Sequence, residues 1–123
     1  MRYDPAVPPD AARWLESDEP ERLDAVLRHH KRARQDSGSP RMHAAIHVTV
    51  ETQLAEGLDA AVRAMDRLRE QGLGRHDAVH AIGSVVAEQM FAAVQGGEFD
   101  AAAYSQKLDV LSAESWRKSY EDD

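Results

Sequence analysis

The chain has 123 residues, 42% apolar and 30% charged, with a net charge of −7 and no cysteine. That is the length and balance of one globular domain. Without cysteine, disulfides, thiolate zinc sites, iron–sulfur clusters and cysteine nucleophiles are excluded, so any metal must be held by nitrogen and oxygen. The acidic charge, relieved only by the short run from Arg28 to Arg34, leaves no concentrated positive face for a nucleic acid. No stretch is long and apolar enough to span a membrane, and the first residues, MRYDPAVPPD, lack the apolar core of a signal peptide. A cytoplasmic location is therefore the default expectation.

In chain order, residues 1–9 are proline-rich and read as an extended or frayed segment, with a single helical domain over 10–123. Asp10 can cap a short helix carrying Trp14 and Leu15. Pro20, in a first turn behind Ser17 or Asp18, opens a helix to about residue 34 with Leu23, Val26, Leu27 and His30 on one side. The loop QDSGSP at 35–40 breaks it, and Ser39 with Pro40 starts a helix that stops at Gly57. Residues 59–71 repeat the apolar spacing with Ala61, Val62, Met65 and Leu68, up to the break GLG at 72–74. A long helix over about 75–94 is apolar on most of its circumference, the mark of a buried, central helix. Asp100 caps a further helix, and Ser112 opens a last turn or two with Trp116 and Tyr120 as tail packing. No segment alternates like a strand. The predicted fold is all-α, a bundle of five to six helices around one core.

Six histidines occur, and four form two pairs of equal spacing, His43/His47 and His76/His80. Scattered at random, six histidines would give about a quarter of one such pair. Residues four apart on a helix stack one above the other, so both imidazoles can reach one ion. Glu51 extends the first pair to H-x3-H-x3-E, about 40° around from His47. Ile46, Val50 and Leu54 flank that stripe and point it at the core. On the second helix Val79, Gly83, Ala87 and Phe91 flank or continue the histidine stripe. Gly83 costs roughly 1 kcal/mol against alanine inside a helix, which a close neighbour or a ligand would explain. Glu88 lies in an apolar run, where an unpaired carboxylate is expensive and a metal or a histidine would serve as its partner.

With one helix between them, the two histidine helices are expected to run parallel, with both pairs at one end of the bundle. The candidate ligands are His43, His47, Glu51, His76, His80 and Glu88, and the expected ion is zinc or iron. His29 and His30 are adjacent and so read as one surface and one packing residue, and Gln53 as a residue that either supports a ligand from behind or packs. The competing reading is a metal-free cluster of buried histidines, hydrogen-bonded to one another and to the two glutamates, in a structural or interaction protein such as an adaptor or homodimer. A pH-sensing role is compatible with either. No serine–histidine–acid set, phosphate loop or dinucleotide fingerprint suggests another chemistry, and no substrate is implied.

The motifs HAAIHVTVETQ at 43–53 and HDAVHAIGSVVAE at 76–88 resemble a bacterial family of small helical proteins of unknown function. That resemblance implies a shared fold and metal ligands, but no activity. A fainter likeness to hemerythrin pairs His47/Glu51 with His76/His80, and His29 or His30 would supply the first-helix ligand. An extra helix between the motifs and the lack of a histidine after His80 depart from that pattern.

Overall fold

The computed structural model describes residues 1–33 and 39–121 and, among them, is helical without strands. The loop expected at 35–40 therefore lies mostly outside the described residues, as do Arg34 and the side chain of Tyr120. Seven helices follow in order: α1 (Ala11–Glu16), α2 (Glu19–Ala33), α3 (Pro40–Ala55), α4 (Asp59–Glu70), α5 (Arg75–Val94), α6 (Ala101–Val110) and α7 (Ala113–Glu121). The count exceeds the expected five to six because the two short end segments are complete helices, each fixed by its own cap.

The caps are the ones the residue types call for. Asp10 accepts from the Arg13 amide at 2.9 Å, Asp18 from Glu21 at 2.9 Å, Ser39 from Met42 at 3.3 Å and Ser112 from Ser115 at 3.0 Å. Gly57 and Gly72, at φ of 74° and 97°, end α3 and α4 in the left-handed region that glycine alone enters cheaply. These stops decide where histidines fall. His29 and His30 lie in the last turns of α2, His43 in the first turn of α3 and His76 in the first turn of α5.

Two apolar clusters flank α3. One joins Val50 to residues of α4, α5 and α6, among them Leu68, Val79, Ile82 and Leu108. The other joins Ala44 and Val48 to Tyr3, Trp14, Ala25 and Val26. Helix α3 packs on α1, α2, α4 and α5, so it shares the centre with α5. The expectation of a buried α5 fails along the exposed positions Ser84 and Glu88 and in its last turn, where Phe91 and Val94 are exposed. Ile46 is the close neighbour that explains Gly83: a Cβ there would meet its Cγ2 at 2.8 Å.

The contacts remove one of the two readings of the first segment and correct the expected helix direction. Residues 1–9 form no helix, but they are not frayed: Tyr3 is 1% exposed and Pro5 is fully buried. Arginines take the carbonyls of this proline-rich stretch, Arg28 that of Met1, Arg32 that of Tyr3 and Arg75 that of Pro5. The histidine helices also do not run side by side in parallel. Arg75 meets Glu51, whereas His80, further along α5, meets His43, nearer the start of α3. Pairings descend α3 as they climb α5, so the helices cross in opposite senses at the site.

Candidate metal centre

The crossing brings together all six histidines, not four. Ring centroids are 4.9 Å apart for His43/His47 and 4.4 Å for His76/His80, the spacings that i, i+4 stacking provides. Across the helices His43 lies 5.1 Å and His47 5.0 Å from His80. Helix α2 adds His30, 4.6 Å from His43 and 5.0 Å from His47. His29 closes the group 6.2 Å from His76.

The nitrogens carry the chemistry. His47 and His80 place their Nε2 atoms 3.0 Å apart. The Nε2 atoms of His29, His30, His43 and His76 are buried and have no hydrogen-bond partner among the described residues. Two groups of three have ligand atoms within 4.8 Å of one another: His30, His43 and His47, and His47, His76 and His80.

His47 belongs to both groups, and its far side is fixed by a chain of polar contacts. The Tyr3 hydroxyl donates to Glu51 Oε2 at 2.5 Å and lies 3.0 Å from His47 Nδ1. A phenol has one proton, and the carboxylate receives it. His47 Nδ1 then carries its own hydrogen and donates to the phenol oxygen, which leaves the Nε2 lone pair directed at the cluster, where His80 Nε2 lies 3.0 Å away. Arg75 closes the chain with a two-point contact to Glu51, Nη2 to Oε1 at 2.6 Å and Nη1 to Oε2 at 2.9 Å. Outer partners of this kind set the tautomer and direction of a ligating imidazole.

Burial and mutual proximity keep the rings neutral. Burial, then the neighbouring rings, pushes His30 and His80 down to about 4 and His47 to about 2. Burial also lowers His29, His43 and His76. Tyr3 is raised far above its ordinary value by burial and by the Glu51 charge, so it stays a phenol. Burial would lower Arg75, but its hydrogen bonds and charge pairing with Glu51 outweigh that and raise it. At neutral pH the site is thus a nest of uncharged imidazoles, the form that ligates metals.

Each predicted residue can now be placed. His43, His47, His76 and His80 converge. Glu51 is buried, but both of its oxygens are held by Arg75 and Tyr3, so it is not free to ligate in this arrangement. Glu88 is not in the cluster at all: it is exposed and pairs with Lys107 at 2.5 Å. The rule that a carboxylate in an apolar run needs a buried partner misled here, because Ser84 and Glu88, four apart, share an exposed stripe while Val85, Val86 and Gln89 face inward. Gln53 accepts from the Tyr104 hydroxyl at 2.6 Å, a contact outside the histidine cluster. His29 and His30, read as one surface and one packing residue, both join the cluster because the site straddles both rings. Tyr3 and Arg75 were missed altogether. The signal for Tyr3 was weak, an aromatic residue among prolines, and Arg75 had none beyond its place beside His76.

No protein-family model matches the chain, and no curated protein or solved structure matches it either. Among the described residues, no helix is long and apolar enough to cross a membrane.

Proposed function

We propose that this protein binds a divalent transition-metal ion, zinc above iron, through the imidazoles of His30, His43, His47, His76 and His80. The observation that carries the reading is the set of four buried Nε2 atoms without partners, three of them on these residues. A buried polar atom left unsatisfied costs about 1–3 kcal/mol, and one ion would satisfy several at once. An all-imidazole donor set suits zinc, and calcium and magnesium prefer oxygen. The two-histidine, one-carboxylate set typical of iron would need Glu51, which Arg75 and Tyr3 engage. His47 supplies one free nitrogen, so it joins one group of three, with the others as additional or exchanging ligands.

The metal-free alternative draws on the His47–His80 contact, which satisfies two rings without an ion. It leaves the other four Nε2 atoms unexplained. The test is elemental analysis and zinc titration of chelator-treated protein beside His47→Ala and Glu88→Ala. Stoichiometric zinc, lost in His47→Ala and retained in Glu88→Ala, is the expected result. Absence of uptake, with no rise in melting temperature on adding zinc, would establish the metal-free cluster instead.

A further inference from the structure

A helix that is apolar around its circumference belongs in a core, yet the end of α5 stands outside one. Every residue of 90–102 is exposed, through the last turn of α5, the glycine turn and the start of α6. Residues 90–94 alone span more than one helical turn, so this end of the helix is uncovered on every side. Four large apolar side chains stand there: Met90, Phe91, Val94 and Phe99. Phe91 is 67% exposed, Val94 83% and Phe99 58%. The tip is nonetheless fully built. Gly96, at φ of 94°, and Gly97 donate their amides to the carbonyls of Ala93 and Ala92 and so close the helix. Phe99 lies against the ring of Tyr104, itself buried and bonded to Gln53.

The chemistry of the tip narrows what covers it. Residues 90–97 carry no charge, and Glu98 and Asp100 are the charged residues that follow up to Ala102. Lys107, the one basic residue of α6, is engaged by Glu88. A nucleic acid or an anionic membrane would need cations here; an uncharged apolar protein surface would not, and the tip is itself such a surface. One flat face cannot cover a helix end that is open all round, whereas two tips crossing at a two-fold axis cover each other and use the same patch twice. The area is sufficient. The four large side chains expose roughly 400–500 Å², and the small and polar residues among them about as much again, close to the ~800 Å² that each partner gives to a specific interface. The charge of −7 on each chain acts weakly between the bodies of the two copies, since exposed charges are screened beyond roughly 10 Å.

We infer that the chain pairs with a second copy of itself through this tip, with Phe91, Val94 and Phe99 at the centre of the interface. The pairing involves no candidate metal ligand and holds with or without an ion in the cluster.

Sedimentation equilibrium of the full chain tests it. A two-chain mass at micromolar concentration is expected. Phe91→Gln should weaken association about tenfold or more with helical circular dichroism unchanged. Val110→Gln removes a side chain that is 78% exposed but sits at the other end of α6, and should leave association unaltered. Because the chain has no cysteine, Gln95→Cys takes a single spin label beside the patch. The distance between two labels should be short in the paired protein, and the signal should vanish on mixing with excess unlabelled chain. A single-chain mass throughout overturns the inference, and a single chain that binds neutral lipid vesicles instead makes a membrane the occupant of the tip. Dimers that persist in Phe91→Gln overturn the assigned surface.

Discussion

Replacing Tyr3 by phenylalanine removes one oxygen atom and leaves every candidate ligand in place. That oxygen sits in a side chain only 1% exposed, donates to Glu51 at 2.5 Å and accepts from His47 Nδ1 at 3.0 Å. A hydrogen bond to a charged group contributes about 1.5–3 kcal/mol, and a buried N–H left unsatisfied costs about 1–3 kcal/mol. The two overlap, so the expected loss of stability is about 2–4 kcal/mol, a fall of roughly 8–15 °C in Tm for a domain of this size. The consequence for metal is separate. With Nδ1 unanchored, His47 can turn or adopt the other tautomer, and outer-shell losses of this kind weaken metal binding about 10–100-fold. Calorimetry on the metal-free protein and a chelator-competition titration with zinc, run well below the variant's Tm, read the two effects apart. Tyr104→Phe is the control, since its hydroxyl bonds only Gln53 among the described residues; it should cost about 0.5–1.5 kcal/mol and leave zinc affinity unchanged. If Tyr3→Phe bound zinc as tightly as the parent, the orienting role of the Tyr3–Glu51–Arg75 chain would be refuted.

Three further outcomes are expected. Glu51→Gln leaves the Arg75 guanidinium buried opposite a neutral amide and should lower stability by about 3–5 kcal/mol in urea unfolding; a change below about 1 kcal/mol would show that the pair is not closed in solution. The metal-free protein should lose stability as pH falls. Its histidines have lowered pKa values when folded, so between about 6.5 and 4 the unfolded chain binds protons that the folded one refuses, while above that window both states are neutral and this contribution is flat. Urea midpoints across that range check it, and a midpoint that rises on acidification would contradict the sign. Gly83→Ala improves helix propensity by roughly 1 kcal/mol but sets a Cβ 2.8 Å from Ile46 Cγ2. Overpacking of that kind costs about 1–3 kcal/mol, so the variant should melt lower, whereas a higher Tm would show that α3 and α5 can separate freely.

Much of the fold was legible because it rests on local chemistry. Asp10, Ser39, Asp100 and Ser112 act as helix starts and Gly57 and Gly72 as stops, each by a side-chain or backbone property that needs no distant partner. The H-x3-H spacing likewise names a helix face. Periodicity does not name the neighbour across that face. Hence the crossing sense of α3 and α5 was misread, Arg75 on the opposing helix was not matched to Glu51, and Tyr3 was left in a loose end although three arginines fasten that segment. Glu88 failed for a related reason: apolar neighbours in sequence are not neighbours on a helical surface, and the polar pair Ser84/Glu88 marked its true side. His30 was legible on the apolar side of α2 beside Val26, but not the histidines it would meet there, and His29 only from knowing that two further histidine pairs meet α2.

The central claim is that imidazoles alone, drawn from helices that cross at the cluster, surround one ion. X-ray absorption at the zinc edge of the loaded protein measures this most directly. The account predicts a nitrogen shell at about 2.0–2.1 Å with the outer-shell scattering of three or more imidazole rings. Fewer than three rings, or a shell dominated by carboxylate oxygen, would contradict it.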